Sequence, residues 1–172
     1  MGLVILMKDL LDRLGSYNVF NYLLPGILFG VFIDWATTVK LLQLNIMVGA
    51  FVYYFLGAAV SRVGSLLVEP VLRRLHLVTF EPYEHFVRAV KSDPKLEILS
   101  ETNNMYRTFC ALLLSVSVVA GYEYAARYWA LLHRAAPIFI VIGLFALFVV
   151  SYRKQTEYIR KRIAANFQER AG

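Results

Sequence analysis

Polar chemistry is scarce in this chain of 172 residues: only 17% are charged and 59% are hydrophobic. Soluble domains carry roughly a quarter charged and 45–50% apolar residues. There is one cysteine, Cys110, which excludes an intrachain disulfide framework and zinc-type cysteine spacing. It lies in an apolar run and reads as a small buried hydrophobe. No phosphate-binding loop, dinucleotide fingerprint, nucleophile elbow or His-Glu-x-x-His pattern is present. The three histidines are scattered. Glu81 and His85 are four apart and share a segment with His76 and Glu84, but two ligands do not make a metal site. The chain therefore reads as non-enzymatic, with no cofactor and no metal. The N-terminal Met1-Gly2-Leu3-Val4-Ile5-Leu6-Met7 lacks the basic region and cleavage site of a secretory signal. Leu6 stands where myristoylation wants Ser or Thr.

What is plentiful is apolar sequence in blocks. Mean hydropathy is +0.56, and a bilayer core of about 30 Å needs roughly 20 apolar residues per helix. Four blocks qualify, at 18–35, 44–61, 108–128 and 136–152. Residues 1–16 read as an interfacial amphipathic helix, with Leu3, Leu6, Met7, Leu10, Leu11 and Leu14 at helical spacing and Lys8, Asp9, Asp12 and Arg13 largely opposite. Residues 69–107 read as a cytosolic helical hairpin, one helix starting at Glu81-Pro82 and another at Asp93-Pro94, with Asp93 as N-cap. Residues 153–172 form a basic cytosolic tail.

Orientation follows from the basic residues. Setting aside Arg62 at a span end, the N-terminal segment, the central hairpin and the tail hold 14 of them. The two short loops on the other side hold 3, namely Lys40, Arg127 and Arg134. Positive charge is retained in the cytosol. The expected fold is all-α: a four-transmembrane-helix bundle with both termini cytoplasmic, the hairpin between spans 2 and 3, and an N-terminal amphipathic helix.

Gly49, Gly57, Ser61 and Ser65 place small residues on one helix face, a pattern that lets helices approach closely within a chain or between subunits. They are the candidate helix-packing or oligomer interface. Pro25-Gly26 inside the first span is a candidate hinge, or a static kink that improves packing. Asn18 and Asn21, and Asn103, Asn104, Tyr106 and Arg107, sit at the cytosolic ends of spans 1 and 3 and are candidates for a shared cytosolic interface. Arg153, Lys154, Arg160, Lys161 and Arg162 are candidates for contact with anionic lipid or with a partner; as a group they also fix topology. The spans are nearly free of ionisable residues at depth, which argues against an ion-coupled transporter. Four short spans without an internal repeat argue against an inverted-repeat design.

Two strings, Ser16-Tyr17-Asn18-Val19-Phe20-Asn21-Tyr22-Leu23-Leu24-Pro25-Gly26 and Leu99-Ser100-Glu101-Thr102-Asn103-Asn104-Met105-Tyr106-Arg107, resemble small bacterial multi-span inner-membrane proteins, some of which occur in anti-phage defence loci. The resemblance implies a bacterial inner membrane and a role as membrane effector or membrane anchor in defence. The expected function is an oligomeric, non-enzymatic membrane component of a multi-protein system that perturbs membrane integrity or senses the membrane. Its expected partners are the bilayer, further copies of itself and a soluble cytosolic protein, with no direct nucleic-acid binding. The alternatives are a constitutive small channel or transporter, for which Tyr53, Tyr54, Ser115 and Ser117 offer the only polar pathway, and a passive anchor.

Overall fold

The computed structural model describes residues 18–170, with side chains omitted at 130–134 and 165–170. The amphipathic helix expected at 1–16 lies outside the described residues. Every regular element among those described is helical: a π-helical turn (Val19–Leu23) leading into α1 (Leu24–Ala36), α2 (Ile46–Val63), a second π-helical turn (Gly64–Val68) leading into α3 (Glu69–Arg74), α4 (Tyr83–Ser92), α5 (Lys95–Ala126) and α6 (Ala130–Arg170). Four stretches are long and apolar enough to cross a membrane: Val19–Ala36, Ile46–Arg74, Lys95–Ala126 and Ala135–Ala164.

Proline explains both π turns. Each turn begins six residues before a proline, Val19 before Pro25 and Gly64 before Pro70. A proline inside a helix has no N–H and its ring presses on the carbonyl four residues back. A wider turn relieves the clash, so the Leu24 N–H bonds to Val19 O and the Glu69 N–H to Gly64 O. One carbonyl per turn is then orphaned. At the second turn it is Ser65 O, because the Glu69 N–H has gone to Gly64 and Pro70 has none to give.

Helix ends follow local chemistry. Asn45 Oδ1 caps α2 by accepting the N–H groups of Met47 (2.9 Å) and Val48 (3.2 Å). Asp93 Oδ1 accepts the Lys95 N–H (3.0 Å), so a helix starts where expected, but it does not stop. The second helix of the expected hairpin and the third span are one helix, α5. No proline interrupts it, and Thr102 turns its hydroxyl back onto Ile98 O at 3.0 Å. Likewise α3 continues the second span. Only residues 75–94 are left as a connection, built around α4.

The chain leaves α3 through a left-handed residue, His76 at φ 55°. The His76 N–H donates to Arg73 O and the Leu77 N–H to Leu72 O, at 3.1 and 3.0 Å. This is the double bond of a Schellman ending, whose left-handed position glycine fills at least cost. His76 thus has a backbone role. Replacing it with glycine should raise stability by about 1 kcal/mol, visible as a higher melting temperature in detergent.

The three spans built on α1, α2 and α5 pack on one another. Their apolar core is Val60, Val68, Ala111 and Leu112, ringed by Leu28, Phe29, Phe32, Val63, Leu72 and Val116. α1 and α2 cross backbone to backbone: a Cβ on Gly26 would lie 1.7 Å from Tyr53 O, and one on Gly57 1.7 Å from Tyr22 O. The fourth span stands apart. Only 6% of its most apolar window is buried in the chain, against 33%, 28% and 22% for the others. The four-helix bundle is therefore three packed helices with a fourth beside them. Cys110, expected to be buried, is exposed on the outer surface of α5. Its neighbours in sequence, Ala111 and Leu112, are the ones that face the core.

At the end where α1 gives way to α2, three side chains hold the connection. Asp34 Oδ1 accepts the N–H groups of Leu41 (2.6 Å) and Leu42 (3.3 Å), and Tyr53 Oη accepts that of Gln43 (2.8 Å). Both Glu123 carboxylate oxygens accept from the Thr38 N–H, at 2.9 and 3.0 Å. The Glu123–Arg127 pair suggested by their spacing is looser, 3.9 Å. Glu123→Ala should therefore speed amide exchange at Thr38 by about tenfold or more, while Arg127→Ala leaves it nearly unchanged.

Candidate functional site

The other end of the molecule collects charge. α3 begins with Glu69, which the sequence assigns to the start of the cytosolic hairpin. Because the helix continues from the second span, that carboxylate is carried in against α5 and α6, and its side chain is only 9% exposed. Three cations share it. Arg107 Nη1 from α5 is 2.6 Å from Glu69 Oε2. Arg73 Nη2, one turn along α3, is 3.2 Å from Oε1. Lys154 Nζ from α6 is 3.8 Å from Oε1. A buried ion of this kind is held only if its lone pairs are used well, and here three helices supply the donors.

Lys154 has a closer partner. Its Nζ donates to Ser65 O at 2.6 Å, the carbonyl orphaned by Pro70. The proline in α3 and the lysine in α6 are thus two halves of one interaction: one frees an acceptor inside the helix, the other satisfies it from outside. Below this contact Ser151 is buried, and Phe148 of α6 lies 5.8 Å from Phe55 of α2, centroid to centroid. Beyond it the Tyr158 ring meets Tyr83 of α4 at 5.5 Å. These contacts fasten the fourth span to the rest of the chain at this end.

Approach of α5 depends on small residues. A Cβ on Gly64 would sit 3.2 Å from Arg107 O and 3.3 Å from the Ala111 methyl. One turn further in, Thr108 Oγ1 donates to Asn104 O at 2.8 Å and reaches Ser61 Oγ at 3.3 Å. The residues singled out from the small-residue stripe are therefore spread over different contacts. Gly57 meets α1, Ser61 meets Thr108, and Ser65 offers its carbonyl to Lys154. Gly49 lies against the Tyr53 ring, 3.0 Å from a Cβ placed there. Pro25 and Gly26 are buried at the crossing of α1 and α2, so a pivot there would have to open that crossing.

The two amide-rich strings end up near each other, since the first π turn packs on α5. Asn21 is buried, Asn18, Asn104 and Arg107 are half-buried, and Asn103 and Tyr106 face outward. Of the described basic residues of the tail, only Lys154 turns inward. Arg153, Arg160, Lys161 and Arg162 stay exposed, with Arg160 2.8 Å and Lys161 3.9 Å from Glu157. The expected grouping of five basic residues is thus one fastening residue and four surface ones. Sequence reading missed Glu69, Arg73, Tyr83 and Tyr158. The signal available was the proline at 70, one residue past an acid that an unbroken helix would carry inward.

Arg62 completes the cluster. It projects from the last turn of α2 and donates from Nη2 to Tyr22 Oη at 3.2 Å. Its charge, with those of Arg73 and Arg107, acts on Lys154. Among the described residues no group of three or more His, Cys, Asp or Glu is placed to hold a metal ion. What the cluster can do is join helices and attract anions. No family model, curated protein or solved structure matches the chain.

Proposed function

We propose that this chain is a multi-pass protein of a bacterial inner membrane that acts, without chemistry of its own, as the membrane component of a multi-protein assembly. The fourth span carries the reading. Ile138, Phe139, Ile140, Val141 and Ile142 are consecutive and all exposed. Five residues at 100° each pass right around a helix, so this half of the span packs on nothing among the described residues. In a membrane its surface is open to lipid and to a second membrane helix, and shape-matched helix packing is what drives association there. The fastening at Lys154 and Tyr158 lies where α4 and the tail are open to a soluble partner, whose binding there would bear on the fourth span. Both termini are cytosolic in this reading, supported by the 14-to-3 distribution of basic residues. The likeness of its two amide-rich strings to defence-locus membrane proteins makes anti-phage defence, with loss of membrane integrity as the output, the setting we favour.

Three measurements test it. With Cys110 replaced by serine, Ile142→Cys should give disulfide-linked dimers in native membranes, and a fluorescent protein fused to the C-terminus should be bright, as it is when cytosolic. A dye reporting membrane potential should show depolarisation when the partner is engaged. Absence of cross-links, together with a monomer in mild detergent and an undisturbed potential, would leave a passive anchor.

A further inference from the structure

The cluster around Glu69 is not electrically closed. Three cations, Arg73, Arg107 and Lys154, converge on one carboxylate, and the charge of a fourth, Arg62, acts on the same Lys154. Arg62 does not touch that carboxylate; its contact is the neutral Tyr22 hydroxyl. Arg107 Nε is buried and has no acceptor among the described residues. The side chains of Arg107 and Lys154 are 22% and 28% exposed, so water only partly screens them. Partly desolvated positive charge in excess calls for an anion with several acceptor oxygens, and guanidinium groups match phosphate geometry. The position narrows the choice further. Arg62 and Lys154 stand just past the apolar runs of α2 and α6, with exposed Leu67 and Val71 alongside, which is the level at which a span meets headgroups.

We propose that this cluster is a binding site for the phosphate of an anionic phospholipid. Arg62 and Arg73 supply the primary contacts. Arg107 and Lys154 contribute field while remaining engaged with Glu69 and Ser65. The headgroup offsets part of the excess positive charge where the second, third and fourth spans come together. The lipid tails run down the exposed apolar surface beside the cluster. This assignment does not depend on the proposed assembly role, since a passive anchor would carry the same site.

The test uses the full chain purified in mild detergent, titrated with phosphatidylglycerol or phosphatidylcholine in mixed micelles and read by native mass spectrometry and melting temperature. Arg62→Gln/Arg73→Gln spares the Arg107–Glu69 and Lys154–Ser65 contacts, so it should fold. A second variant, Arg153→Gln/Arg160→Gln/Lys161→Gln/Arg162→Gln, strips the exposed tail instead. Phosphatidylglycerol should bind the parent protein at least about tenfold more tightly than phosphatidylcholine, and should keep that preference in the tail variant. In Arg62→Gln/Arg73→Gln the preference should disappear. An unchanged preference in that variant, or its loss in the tail variant alone, overturns the site. Equal protection of the parent by inorganic phosphate without lipid overturns the phospholipid assignment.

Discussion

Gly57→Ala should leave no folded protein to purify. The added methyl would lie 1.7 Å from Tyr22 O and 2.6 Å from Tyr22 C. Both are backbone atoms of a helix, which cannot swing aside as a side-chain tip can. Gly26→Ala meets the same obstacle from the other helix, 1.7 Å from Tyr53 O. The only relief is to part α1 and α2, which would open the crossing at its closest point and disturb the adjoining core at Leu28 and Phe29. Overpacking a core normally costs 1–3 kcal/mol because neighbours share the strain; here they cannot, and a loss above about 3 kcal/mol is expected. Gly121 and Gly143 are the controls. Among the described residues nothing lies within 4 Å of a Cβ at either, so alanine there should be neutral or stabilising by up to about 1 kcal/mol through helix propensity. The yield of folded protein in detergent, with circular dichroism melts of whatever is recovered, separates the two classes. If Gly57→Ala proves as stable as Gly121→Ala, the close crossing of α1 and α2 is wrong.

That contrast bears on what the sequence could tell. Small residues spaced along a helix signal close approach, and Gly57 delivers it. Spacing cannot say which neighbour approaches, because Ser61 and Ser65 on the same stripe serve two other helices. Hydropathy located the four spans, since an 18-residue apolar window needs no tertiary knowledge. It could not tell a packed span from a peripheral one. The fourth span is the most apolar of all and the least buried, because a membrane rewards apolar surface whether or not protein covers it. Cys110 was misplaced for the same reason: in an apolar run, outward and inward residues look alike.

The charged cluster was hidden differently. Glu69, Arg73 and Arg107 belong to a polar stretch with balanced charge, which reads as a solvated hairpin. Their convergence depends on α3 and α5 being continuous with spans, and neither continuity has a strong local signature. Pro70 even suggests a break. The π turn absorbs the proline instead, and the helix goes on.

Glu69 is where a single change should do most at this end. Removing one member of a buried ionic group costs about 3–5 kcal/mol, because the partners left behind are desolvated without compensation. Glu69→Ala would leave Arg107, Arg73 and Lys154 facing one another. Glu69→Gln keeps the shape and removes only the charge, so it should be nearly as damaging if charge is what matters. Tolerance of glutamine would mean that hydrogen bonding alone holds the cluster. Lys154→Met is the selective counterpart. It strands only the Ser65 carbonyl and one long arm of the cluster, so the three packed spans should survive while the fourth loosens. Amide exchange over residues 148–158 should rise in Lys154→Met and stay unchanged around Ala111 and Leu112. A triple exchange, Glu69→Leu/Arg107→Leu/Lys154→Met, then asks what the ions are for. Apolar replacement of the buried members of an ionic group is often neutral or better for stability, and Arg73, half-exposed, is left to solvent. Recovery of stability in the triple variant, together with loss of the phosphatidylglycerol preference, would mean the charges are kept for the lipid they receive rather than for the fold.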